Sequence, residues 1–269
     1  MAIQHRAVCA ALAFLFSAFP GGVGVFADAS ATRTIHVFVA LCDNEHQGIV
    51  PVPPFLGDGD NPRENLYWGA SMGMKTYLKA SGEWQLLSST ENSPEAVVLE
   101  RCVFKHRSAN VYLVADAYRG REIRRAVADF LKAAAGQDGE EAALGEGSRR
   151  ISLRIGGSAD LLAYVGHNGL MDFQLDRHPK GSGDAERDAI VLACKSKAYF
   201  SKALAEGGAH PLLWTTGLMA PEAYALKAAI DGWILGESGE KIRLRSAQAY
   251  HRFQKCGLKA AQNLFATGW

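Results

Sequence analysis

The chain carries no excess of charge of either sign. Over 269 residues, 29 Lys and Arg stand against 28 Asp and Glu, a formal net charge of +1. Such a balance offers no field for a bulk polyanion, which argues against nucleic acid or an anionic membrane surface as the main partner. No C-x-x-C pair occurs, so a zinc ribbon or a thioredoxin-like redox motif is not expected. No glycine-rich phosphate loop follows the first apolar run, so a nucleotide has no cradle and no cofactor is expected. Beyond residue 29 there is no apolar stretch long enough to span a bilayer.

What stands at the start reads as an export leader. His5 and Arg6 precede an apolar run over residues 9–19, which Pro20, Gly21 and Gly22 cut short. Ala27-Asp28-Ala29 before Ser30 has the small-x-small form of a cleavage site, with Val25-Phe26-Ala27 as an alternative. Cys9 stands at the start of the apolar run, whereas a lipoprotein cysteine follows it. Residues 1–29 are therefore expected to be a signal peptide, the protein to be secreted or periplasmic, and residues 30–269 to form a single α/β domain. Processing leaves about 240 residues, enough for one large domain. Four cysteines remain, Cys42, Cys102, Cys194 and Cys256, and an even count in an exported chain suggests a disulfide.

Strand-like and helix-like runs then alternate. Residues 34–41 are rich in β-branched and aromatic side chains, as a central strand is. A proline- and glycine-rich loop covers residues 45–63, and loops of that length are often functional. Asp58 and Asp60 within it fail the spacing of a calcium loop, because Pro62 takes the place of a third ligand; a turn is the better reading. A helix is expected over residues 65–79 with Asn65 as its cap, a hairpin over 84–106, a strand over 110–115 ending at Asp116, and an amphipathic helix over 121–135. Residues 136–148 read as an exposed loop and 151–155 as an edge strand. Strands follow at 161–165, 189–193 and 210–215. Helices are expected over 195–205, from Pro221 to 235, over 246–256 and over 258–265. This order predicts a doubly wound α/β fold: a mostly parallel sheet with helices on both faces and a small β-hairpin insertion.

Two of these strands stop on chemically capable side chains. One reads Val165-Gly166-His167-Asn168-Gly169 and the other Leu192-Ala193-Cys194. Ligands of open α/β sheets bind at the carboxyl ends of strands. A thiol there becomes a nucleophile when an imidazole or a helix N-terminus favours its anion, and Cys194 has both within expected reach. Neighbouring strands lie roughly 5 Å apart, which places His167 beside it. Gly169 offers a backbone N–H to a developing oxyanion. Cys42, with His36 and His46 nearby in sequence, is a rival nucleophile. A Cys42–Cys194 disulfide is disfavoured, since an intervening strand holds the two roughly 10 Å apart.

The pattern resembles the caspase-like cysteine peptidases, in which one apolar strand ends in His-Gly and the next in Ala-Cys on a shared α/β sheet. The resemblance implies a peptide or protein substrate, attack by Cys194 on a peptide carbonyl, and protonation of the leaving amine by His167. It implies an oxyanion held by N–H groups near Gly169 and Cys194. Residues after the first strand line the specificity pocket in that group, so Asp43, or alternatively Asp172, would select a basic side chain. Asn168 is a departure, because it separates His167 from the glycine. That departure keeps open a non-catalytic member of the same fold, a periplasmic binding or interaction protein that uses the 45–63 loop. An unrelated doubly wound protein with a different cleft is a third reading.

Overall fold

The computed structural model describes residues 32–93, 95–145, 150–181 and 187–269; the expected leader, residues 1–29, lies outside them. Its strands are β1 (Arg33–Ala40), β2 (Trp84–Glu91), β3 (Val98–His106), β4 (Val111–Tyr118), β5 (Glu140–Leu144), β6 (Ile151–Ile155), β7 (Leu161–Val165), β8 (Asp188–Leu192), β9 (His210–Thr215) and β10 (Phe265–Ala266). Its helices are α1 (Met74–Ala80), α2 (Ile123–Ala134), α3 (Ser196–Gly207), α4 (Ala223–Ile234), α5 (Gly239–Gln254) and α6 (Leu258–Leu264). Eight strands form one sheet in the order β10-β9-β8-β7-β1-β4-β3-β2. The five in the middle, β9 to β4, run parallel, while β2, β3 and β10 pair antiparallel at the two edges. The α/β, mostly parallel fold expected from sequence is therefore present.

The apolar runs explain the layering. β7 is buried at all five positions and β4 at all eight, because both of their faces are covered. Ile35, Val37 and Val39 of β1 pack with α1, α4 and α5; Phe38 and Ala40, on the opposite side, pack with α2 and α3. In the second layer the rings of Phe130, Tyr164 and Phe200 meet at 5.8–6.2 Å between α2, β7 and α3. The chain crosses from β1 to the far edge at β2, comes back through β3 to β4 beside β1, and then builds β7, β8 and β9 on the other side. The order reverses between β1 and β7, and a crevice opens at the carboxyl ends of strands at such a reversal.

Several local expectations are corrected. Residues 65–73 are turns, and α1 begins only at Met74. Asn65 does not cap a helix. Its buried side chain accepts from the Cys42 and Tyr67 N–H groups and donates to the Cys42 and Asp58 carbonyls, which fastens this stretch to the end of β1. The 136–148 stretch contains β5, which pairs with β6 in a separate hairpin over Val103, Tyr112 and Val114. The 84–106 hairpin is no excursion but the antiparallel edge of the main sheet. Asp116 lies inside β4 rather than at its end, since Arg101 and His36 neutralise it there. α4 starts two residues after Pro221. α5 starts at Gly239, where ion pairs from Arg243 to Glu240 and from Arg245 to Glu237 support a turn with little apolar content. Phe265 ends the last helix as a short strand on β9. No helix among the described residues is long and apolar enough to cross a membrane.

Candidate active site

The strand ends converge as their order requires. β1, β7 and β8 are adjacent, so residues 41–44, 166–169 and 193–195 leave the sheet side by side. Gly166 turns the chain out of β7 at a φ of +148°, and a Cβ there would meet the Ala40 carbonyl oxygen at 2.8 Å. Only glycine fits this turn, which lifts His167 above the sheet. A cavity of about 460 Å³ opens above these ends. His167 and Cys194 both line it, together with Gly48, Ile49, Val50 and Val52 after β1 and residues 218–221 after β9.

His167 is almost buried, and its Nε2 lies 2.6 Å from Asp172 Oδ2. A carboxylate only accepts, so Nε2 carries the proton in the neutral ring and Nδ1 keeps its lone pair. Asp172 also accepts from the Gly48 N–H at 3.2 Å, which ties the loop after β1 to the turn after β7. From sequence Asp172 is an alternative specificity acid. In the structure it is the hydrogen-bond partner of His167, which lines the same cavity as Cys194.

Cys194 sits one residue before the cap of α3. The first amides of that helix do not reach it, because the Ser196 N–H is donated to Thr215 Oγ1. Its sulfur is held instead by Met219, whose N–H donates to Sγ at 3.4 Å and whose carbonyl accepts from the thiol at 3.5 Å. Lys195, just after it, has a φ of +50°, an uncommon conformation for a residue with a side chain. Such backbone strain clusters at functional sites.

Asn168 has a definite structural duty. Its side-chain amide donates to the Cys194 carbonyl at 2.6 Å, and its Oδ1 accepts from the Leu170 N–H. It is fully buried and clamps the end of β7 to the end of β8. Asn168→Ala should therefore destabilise the fold by about 1–3 kcal/mol, since the Cys194 carbonyl and the Leu170 N–H lose their partner. The shift in urea midpoint measures it.

Two expected site residues lie elsewhere. Gly169 is packed under Phe173, and its N–H is donated to the His167 carbonyl at 3.1 Å, which leaves it no donor for an oxyanion. Asp43 is buried outside the cavity and accepts from the backbone N–H groups of Glu45 and His46 and from the His46 ring. It shapes the loop and does not line the cavity. The rival thiol also falls away. Burial pushes Cys42 up to about 11 and Cys102 up to about 12, and neither is a nucleophile near neutral pH. His36 lies on the other face of the sheet from Cys42, bonded to Asp116.

All four cysteines in the described part of the chain are free, so the expected disulfide is absent there. Asp60, weighed for calcium, pairs with Arg119 and Arg121. Among the described residues no group of three His, Cys, Asp or Glu side chains is arranged to hold a metal ion. The sequence also contains a Gly-x-Ser-x-Gly pentad, Gly69-Ala70-Ser71-Met72-Gly73. It lies in the turns before α1 with no strand leading into it, and Ser71 is exposed, so it is no nucleophile elbow. Comparison with protein-family models, curated proteins and solved structures finds no match to this chain.

Proposed function

We propose that this is an exported, caspase-like cysteine hydrolase that cleaves peptide bonds with Cys194, His167 and Asp172. The observation that carries the reading is the 2.6 Å bond from His167 Nε2 to Asp172, on a histidine that shares one cavity with Cys194. That bond leaves His167 Nδ1 as the base. Nδ1 takes the thiol proton, and the thiolate attacks the carbonyl carbon of the scissile peptide. The Met219 N–H stabilises the thiolate before attack. The Cys194 N–H replaces Gly169 as the oxyanion donor. The tetrahedral adduct collapses to a thioester as His167 returns the proton to the leaving amine. His167 then deprotonates a water that hydrolyses the thioester, which frees the acid and the thiol. The bond from the Asn168 side chain to the Cys194 carbonyl supports the catalytic reading. Export rests on the leader-like residues 1–29.

The test uses the protein's own cysteines as references. Iodoacetamide should alkylate Cys194 near neutral pH faster than the exposed Cys256, and His167→Ala should remove the difference. Cys42 and Cys102 should label only after unfolding. Peptide mapping by mass spectrometry reads all four sites. A Cys194 that reacts no faster than Cys256, and is indifferent to His167, overturns the proposal.

A further inference from the structure

The cavity beside Cys194 is built for an apolar group. Ile49, Val50, Val52, Leu66, Leu218 and Met219 supply its walls, and His167 is the sole ionisable lining group besides the thiol and the Tyr67 phenol. Neither acid expected to give basic specificity is available. Asp43 is turned into its own loop, and Asp172 is occupied by His167 and the Gly48 N–H. At the mouth, Val50 is 87% exposed, Leu218 68% and Met171 38%. Apolar side chains gathered in water around a concave site mark a surface that something apolar covers. The cavity volume of about 460 Å³ exceeds what a small side chain fills. An ion brought into such walls loses its hydration with no partner to replace it.

We infer that the cavity receives a bulky apolar side chain on the residue whose carbonyl Cys194 attacks. The substrates are then peptides cut after Leu, Met, Phe or Tyr rather than after a charged residue. This inference rests on the peptide-hydrolase reading above. Leu218 is a specificity-determining residue in it, because it closes the mouth beside the nucleophile.

Peptidyl chloromethyl ketones that differ only in the last residue test it on the mature protein. The Cys194 thiolate displaces chloride and an S–CH2 bond forms, so intact mass and peptide mapping follow the reaction. The Leu and Phe ketones should label Cys194 at least about 10-fold faster than the Lys, Arg and Asp ketones. Leu218→Asp changes an exposed position, so the fold is retained. It should slow the Leu ketone and speed the Arg ketone. If the Lys or Asp ketone labels Cys194 as fast as the Leu ketone, the inference falls and the hydrolase reading stands. If no ketone labels Cys194 and iodoacetamide does not favour it over Cys256, both fall.

Discussion

Cys194→Ala should lose peptide hydrolysis by about 10⁶-fold, and Asp172→Asn by about 10⁴-fold. The two numbers differ because the two residues act differently. In the proposed reaction Cys194 supplies the atom that attacks, and nothing else lining the cavity replaces it. Asp172 holds His167 in the tautomer with its lone pair on Nδ1, across 2.6 Å. An asparagine there can present its amide N–H to Nε2, which moves the ring proton to Nδ1 and removes the base. The double variant Cys194→Ala, Asp172→Asn should be no slower than Cys194→Ala alone, since groups that act as a unit are not additive. Rates are read on peptides with Leu before the cut. A loss of less than 10-fold in Asp172→Asn would leave the acid a loop tether through the Gly48 N–H and no part of the chemistry.

The largest effect on stability is expected away from the site. Asp116→Ala should destabilise the fold by about 3–5 kcal/mol, the range for removing one partner of a buried ion pair. Asp116 is 1% exposed within β4. Its oxygens lie 2.6 and 2.7 Å from the Arg101 guanidinium, and His36 Nε2 is 3.0 Å away. Gly156 N–H donates to His36 Nδ1, so the proton of the neutral ring is on Nε2 and points at the carboxylate. Burial pushes the Asp116 carboxyl up, but the bonds from Arg101 and His36 outweigh it and hold it at about 2. In the unfolded chain an aspartate titrates near pH 3.9. The folded value is the lower one, so this stabilisation is complete above about pH 4 and is lost as pH falls toward 2. The gap in urea midpoint between wild type and Asp116→Asn should accordingly shrink from pH 5 to pH 2. A gap that stays constant across that range would mean that the carboxylate charge contributes nothing.

The sequence determined the sheet. A strand covered on both faces must be apolar at nearly every position, so 34–41, 161–165, 189–193 and 210–215 are visible as unbroken runs. Their alternation with helices leaves a doubly wound order as the natural solution. It also placed His167 and Cys194, because a polar residue that ends such a run must sit at the sheet's carboxyl edge. The helix over 65–79 misled because Leu66, Met74, Tyr77 and Leu78 can share one helical face, whereas the buried side chain of Asn65 holds the backbone elsewhere until Met74.

The roles of the polar residues around the dyad were decided only by tertiary structure. Hydrogen bonds are directional and reach about 3 Å, and no periodicity reports on them. Asp172 follows His167 by five residues, yet the short turn between them decides that it faces the ring and not the cavity. Asn168 was legible as a break in a family pattern but not as a clamp, because its partner, the Cys194 carbonyl, is 26 residues away on the next strand. Gly169 lost its expected duty to a single bond with the His167 carbonyl, and Asp43 lost its own to the backbone it caps. The apolar walls come from loops after β1 and β9, far apart in sequence and joined above the site only once β1, β7, β8 and β9 lie side by side.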